Sequence, residues 1–256
     1  MASSNTNTIT PFSGGSTSAL TNALLAPNSG IVVDPGSIQL QAVGESVNFY
    51  DGGLQGIGSG LLLTSGFTPG TANTSTSFGG DNSLAGNAAL DAVVNTVFQT
   101  QSFNATTLTF SFTVTDPTAT SVSFDLVFGS EEYPEWVDAY VDVAVVLVNG
   151  VNVALFNHDP NHPLSVISPN LAAGYFVDNA SGALPTEYDG VSAKLKFVAP
   201  IQPGANTITI GIADTGDAIL DSGMFVSNFS AGNIPGSGVV SVTPCTPGDD
   251  SVTGTA

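Results

Sequence analysis

The sequence predicts an all-β chain, a β-sandwich of jelly-roll type with one or two short helices near the N-terminus. Three observations lead there. Apolar and polar residues alternate along successive segments, turn residues separate those segments, and apolar residues at helical spacing occur in only two places. The length of 256 residues suits one large all-β domain or two small ones, and the hydrophobic fraction of 42% is enough for a full core.

Residues 1–16 are rich in Ser, Thr, Asn and Gly and read as a flexible arm. Over 17–26, Ala19, Leu20, Ala23 and Leu24 recur at helical spacing and Pro27 stops the helix. A second helix is expected over 85–97, where Leu90, Val93, Val94 and Val97 share a face. Residues 108–114 set Leu108, Phe110, Phe112 and Val114 against Thr109, Ser111 and Thr113, a strand with one buried face. Asp116-Pro117 breaks it. Residues 122–128 repeat the pattern with Val122, Phe124, Leu126 and Phe128, so the two are expected to pair as antiparallel neighbours. The near-continuous apolar run 141–148 suits a strand buried on both faces, and Asn149-Gly150 turns it into a hairpin with 151–156. Further strands are expected at 192–198, 207–212 and 224–229. The domain is read as 17–231, followed by a Gly/Pro/Ser/Thr-rich linker over 232–256 whose end, Gly248-Asp249-Asp250, resembles the entry to calcium-binding Gly/Asp repeats.

The chain has 21 Asp and Glu residues against two basic ones, Lys194 and Lys196, for a net charge of -19. This argues against nucleic acid and anionic membrane surfaces as partners, since both need a basic patch, and no apolar run is long enough to span a bilayer. One cysteine, Cys245, excludes an internal disulfide framework. The first residues show neither the basic nor the apolar region of a signal peptide, which leaves open a cytoplasmic protein, export by a route that needs no such signal, or a sequence that begins after one. Almost no carboxylate can find a Lys or Arg partner. Each must face water, accept from backbone N–H or hydroxyl groups, or take up a cation.

Two stretches concentrate the acids, one after the strand at 122–128 and one between the strands at 207–212 and 224–229. The candidate metal ligands are Glu131, Glu132, Asp138 and Asp142 from the first, and Asp214, Asp217 and Asp221 from the second. Pro134 keeps the first stretch out of a regular strand and Gly216 allows a sharp turn in the second, so both are expected in loops at one end of the sandwich. The ion that suits an all-oxygen, anionic set is Ca2+. The plainer reading is solvated turn residues, which Asp, Asn and Gly supply anywhere. The EF-hand ligand pattern is absent. Tyr133 and Trp136, beside Tyr140, are candidates for stacking on a sugar or for anchoring the loop to the core. His158 and His162 flank Pro160 and precede Pro163, which precludes a zinc-binding helix and indicates a surface loop. Lys194 and Lys196 share a strand face. A Lys–Asn isopeptide cross-link is conceivable there, and two solvated lysines are the simpler reading. No Ser-His-Asp arrangement, phosphate loop or cysteine nucleophile is found.

The same acidic residues carry a resemblance. Phe124-Asp125-Leu126-Val127-Phe128-Gly129-Ser130-Glu131-Glu132-Tyr133-Pro134-Glu135 resembles the signature of the choice-of-anchor L domain family. Gly60-Leu61-Leu62-Leu63-Thr64-Ser65-Gly66, Gly80-Asp81-Asn82-Ser83-Leu84, Glu187-Tyr188-Asp189-Gly190-Val191 and Ile212-Ala213-Asp214-Thr215-Gly216-Asp217 with Leu220-Asp221-Ser222 agree in order, over roughly Thr17 to Ala231. One departure is Val141-Asp142, where the family often has Asn-Asp. The resemblance implies a bacterial or archaeal surface or secreted module without established catalytic activity.

The expected function is therefore a non-enzymatic, extracellular, calcium-binding β-sandwich for cell-surface structure or adhesion. It would self-associate or bind surface and matrix components, and in its most specific form the N-terminal arm donates a strand to a neighbour, with Ile9 and Phe12 filling pockets there. The alternatives are a carbohydrate-binding module using Trp136 and Tyr133, and a glycoside hydrolase using a carboxylate pair such as Glu131 and Asp217.

Overall fold

The computed structural model describes residues 7–242. Fifteen strands occur in it: β1 Ile9–Pro11, β2 Ile31–Val33, β3 Gln39–Gln41, β4 Val47–Tyr50, β5 Gly60–Thr64, β6 Ser102–Val114, β7 Ser121–Ser130, β8 Val143–Val148, β9 Val151–Asn152, β10 Phe176–Asp178, β11 Gly190–Ser192, β12 Leu195–Pro200, β13 Asn206–Thr215, β14 Ser222–Gly232 and β15 Gly238–Val242. Helices are α1 Ser18–Leu24, α2 Ala88–Phe98 and α3 Ser168–Ala172. They form two antiparallel sheets. The larger runs β1-β4-β5-β14-β7, with β11 and then β10 beyond one end of β7, and β12 and then β15 beyond the rest of it. The smaller runs β2-β6-β13-β8-β9, with β3 also on β6.

The expected sandwich follows from the alternation. Leu61, Leu63, Phe124, Leu126, Phe128, Met224 and Val226 of the larger sheet pack against Leu108, Phe110, Phe112, Val146, Ile208 and Ile210 of the smaller one in a single core. The outer faces are covered too. α2, whose first turn Asn87 caps by accepting from Ala89 N–H, lays Leu90 and Val94 on Val143, Val145 and Ala213. This buries β8 on both faces, as its continuous apolar run predicts. Tyr188, Leu54 and Ile57 cover Leu62, Val127 and Phe225 on the other side.

β6 and β7 are not neighbours, contrary to the alternation-based expectation. β6 pairs with β13 and β7 with β14 and β12. The connection through Asp116-Pro117 crosses from one sheet to the other, and the two matching apolar faces meet across the core instead of side by side. Alternation reports which face is buried and is silent on the partner strand. The hairpin at Asn149-Gly150 forms with both residues at positive φ, 51° and 80°, although β9 ends at Asn152, short of the expected 156.

Two further segments differ. The tail read as a linker contains β15, which pairs with β12; Cys245 and Gly248-Asp249-Asp250 lie outside the described residues. The arm read as 1–16 joins the sheet from Thr8 onward. Thr8 donates to Asp51 from its backbone N–H at 2.8 Å, and β1 pairs with β4. Ile9 lies on the cluster around Tyr50, and Phe12 meets the Phe49 ring edge-on at 6.0 Å between centroids. Both side chains thus fill the domain's own surface, where apolar positions on the edge of β4 are available to them.

Candidate functional site

One end of the sandwich gathers the ends of six strands from both sheets: the C-terminal ends of β5, β7 and β13 and the N-terminal ends of β6, β8 and β14. The acidic stretches sit there. Glu131, Glu132, Asp142, Asp214 and Asp221 are all at most 2% exposed, so they are not solvated turn residues. They divide into two groups by what they accept.

The first group ties down the long coil between β5 and α2. Asp221 accepts from Phe67 N–H at 2.7 Å and from Gly80 N–H at 3.0 Å, one bond to each oxygen. Glu131 accepts from Phe78 N–H at 3.0 Å, and Glu187 accepts from Thr74 N–H at 3.0 Å and from the Thr74 hydroxyl at 2.9 Å. Asp189 accepts from the Asn73 side chain at 2.5 Å. A segment without regular structure has no ladder to satisfy its donors, and buried carboxylates do so here. Burial still pushes Asp221 up to about 6, against the lowering effect of its two N–H donors.

The second group is Glu132, Asp142 and Asp214. Glu132 Oε2, Asp142 Oδ2 and Asp214 Oδ1 are buried with no hydrogen-bond partner. Asp214 Oδ2 accepts from Asn104 at 2.9 Å. The Ser222 hydroxyl lies beside Asp142 and favours its anion, though it makes no hydrogen bond of good geometry. Burial and then the negative charges of Asp217 and Asp214 push Glu132 up to about 8. Burial and Glu132 push Asp142 well above the ordinary carboxylate range, and burial and Asp142 do the same to Asp214. Glu131 also rises to about 8, chiefly through burial, and its Oε2 is unpaired. Asp217 stands half-buried at the rim, raised by burial.

Of the seven candidate ligands, six come to this end. Asp138 does not join them: it accepts from Ser168 N–H at 2.8 Å and from the Ser168 hydroxyl, and so holds the start of α3. Tyr133 packs on Gly190 and the core, while Trp136 is 45% exposed and meets Tyr140 edge-on at 5.5 Å. The aromatic pair that the surface presents is therefore Trp136 with Tyr140. His162 accepts or donates at Nδ1 to Asn170 at 3.0 Å within its loop.

Glu187, Tyr188 and Asp189 lie in a segment that carries the family resemblance, but none of them was among the candidate site residues. Tyr188 is fully buried, its hydroxyl has no partner, and its titration is pushed far up by burial and then by Asp221 and Glu131. It reaches the acidic end through a slot formed by Gly129 and Gly223, register partners on β7 and β14; a methyl group on either would overlap its ring. The signal was present in two glycines, Gly129 and Gly223, each one residue beyond an expected strand.

A family model, the choice-of-anchor L domain, matches residues 8–231. The chain belongs to the choice-of-anchor L family. Domains of this family are surface-associated and generally non-catalytic. No curated protein and no solved structure matches the chain. No helix among the described residues is long and apolar enough to cross a membrane.

A cation is the remaining question at this end. Among the described residues, no three His, Cys, Asp or Glu side chains stand as placed in a geometry that could hold a metal ion. The donor chemistry nevertheless fits a hard cation: the atoms are oxygens, anionic when deprotonated, buried, and without partners. Binding would require these side chains to turn toward a common point.

Proposed function

We propose that this choice-of-anchor L domain is a non-catalytic extracellular module whose sandwich end is stabilised by Ca2+, serving in cell-surface structure or adhesion. The observation that carries this reading is the set of unpartnered buried oxygens on Glu132, Asp142 and Asp214. Three such anions cannot coexist without a counter-charge. At neutral pH the end must hold either protons or a cation, and the chain's own lysines are elsewhere, on the Gly56 carbonyl and on Asp125. Glu132, Asp142 and Asp214 would supply the ligands, with Asp217 at the rim. Calcium bound only by the folded state adds stability by mass action.

The test is thermal unfolding of the full chain at pH 7.5 in chelator and in millimolar Ca2+. A rise in Tm with Ca2+ that vanishes in Asp142→Asn supports the reading. An unchanged Tm would remove it and leave a protonated cluster.

A second reading, assembly of copies by exchange of β1, is favoured by the position of this strand. It lies at the sheet edge and, among the described strands, pairs only with β4, through three register pairs. Removing residues 1–16 should abolish any large particles seen by light scattering; unchanged particles would exclude strand exchange as their basis.

A further inference from the structure

On the outer face of the larger sheet, away from the acidic end, three side chains meet that no role above absorbs. Asp125 of β7 has β12 on one side and β14 on the other; its register partners are Lys196 and Ser227. Lys196 Nζ donates to Asp125 Oδ1 at 3.1 Å, and Asn228 Nδ2 donates to Asp125 Oδ2 at 2.9 Å. An amine and a carboxamide are thus held on the two oxygens of one carboxylate. Asp125 is 8% exposed, and Lys196 and Asn228 are half-buried.

Regular pairing would not produce this. Asn228 follows Ser227, whose side chain faces outward with Asp125, so in an ideal strand Asn228 would face the core. Instead the ladder slips between Ser227 and Ser230, and Asn228 takes a left-handed conformation, φ 58°. The extra residue turns the carboxamide to the same face as Asp125, the kind of re-aiming that bulges provide. Asn is among the few residues that tolerate such a φ. The two flanking strands lie about 9.5 Å apart, two ladder spacings, a gap that the long Lys196 side chain spans by lying over β7. Gly58 of the covering loop closes over Asn228; a Cβ there would stand 3.3 Å from Nδ2. An ion pair accounts for Lys196 and Asp125. It does not account for a bulge that brings a carboxamide to the same carboxylate.

We propose that Lys196 and Asn228 join in an intramolecular isopeptide bond, with Asp125 moving the proton between them. The reaction balances within the site. The Asp125 carboxylate takes a proton from the Lys196 ammonium, leaving a neutral amine. The amine lone pair attacks Asn228 Cγ and forms a C–N bond. Protonated Asp125 gives its proton to Asn228 Nδ2, the Cγ–Nδ2 bond breaks, and ammonia leaves. Asp125 then takes the surplus proton from the former amine nitrogen, now the amide nitrogen, and passes it to the ammonia, which departs as ammonium and leaves Asp125 as the carboxylate it began as. No oxidant, reductant or cofactor enters. Asp125 is suited to both transfers because its two oxygens are hydrogen-bonded one to each reacting nitrogen. The product fastens β12 to β14 across β7 and closes a loop in the C-terminal half of the chain, which restricts the unfolded state as any cross-link does.

The experiment is intact mass spectrometry of the folded, full chain under denaturing conditions, followed by peptide mapping with an acid-specific protease. The expected result is a mass lower than that of the sequence by one ammonia, with a branched peptide joining Lys196 to Asn228. The variants Lys196→Arg and Asp125→Ala should each show their full sequence mass. Asn228→Asp, which keeps the acyl carbon, should lose one water instead and do so more slowly. A linked protein should melt roughly 5 °C or more above Lys196→Arg. A wild-type chain that keeps its full sequence mass after prolonged incubation in the folded state, with no branched peptide, would overturn the proposal and leave an ion pair.

Discussion

Asp221 and Asp142 lie at the same end of the sandwich, are equally buried, and are opposite in their relation to the fold. Asp221 receives two backbone N–H groups from the coil after β5 and uses both oxygens. Asp142 has an unpartnered oxygen and faces the negative charges of Glu132, Asp221 and Asp217. Burial therefore does not decide whether an acid helps or harms a structure. The donors around it do. In a chain almost without basic side chains, backbone N–H groups are the main internal supply of positive charge density, and the irregular coil at 65–87 is the segment with donors to spare.

This contrast can be broken from either side. The largest effect is expected for Asp221→Ala, which strands Phe67 and Gly80 N–H groups and frees the coil. A loss of about 3–4 kcal/mol in urea unfolding, with new protease nicking in 66–82, is expected from two charged hydrogen bonds lost in a buried setting. A loss under about 1 kcal/mol would mean that the coil is held elsewhere. Gly129→Ala tests the slot for Tyr188, and overpacking there should cost about 1–3 kcal/mol; the double variant with Tyr188→Leu should recover part of it.

Asp142→Asn should move the other way. In chelator it removes a buried acid that would otherwise have to be held protonated among acidic neighbours, and should stabilise the domain by about 1–2 kcal/mol. In Ca2+ it should lose the calcium-linked gain. A destabilisation in chelator would contradict the division of the two groups.

The pH dependence sharpens the same point. Glu131 and Glu132 titrate near 8 in the folded protein against a usual value near 4.5, and Asp221 near 6 against 3.8. The folded state thus binds more protons than the unfolded one across these windows, and stability contributed by the protonated groups falls as pH rises. In chelator the Tm should decline between about pH 4.5 and 8. Saturating Ca2+ should flatten that decline, because the cation replaces the protons. The smallest effect is expected for Asp138→Ala, outside the cluster, at about 1 kcal/mol or less whether or not Ca2+ is present.

Much of the sandwich was legible in the alternation of β6, β7, β13 and β14, since period two marks a strand with one buried face. The short strands β1 to β4 were not, because three or four residues carry too little periodicity and owe their conformation to the partner strand. Sheet membership was also hidden: the β6 and β7 patterns are alike, and only the cross-over at Asp116-Pro117 places them in different sheets. At the acidic end, the excess of carboxylates pointed to Glu131, Glu132, Asp142, Asp214, Asp217 and Asp221 because no internal cation was available. Which of them accept backbone N–H groups depends on a coil whose path no local pattern encodes. Asp125 and Asn228 escaped notice for a related reason, since the bulge that brings them together breaks the very alternation by which strands are read.

The scarcity of basic residues also governs how this domain fares among digestive enzymes. A protease that cuts after lysine or arginine finds two target bonds in the whole chain. The bond after Lys196 lies within β12, a strand paired on both sides, which leaves the exposed Lys194 just before it as the accessible point of attack. A surface protein of this composition is nearly invisible to that class of enzyme without any dedicated shield.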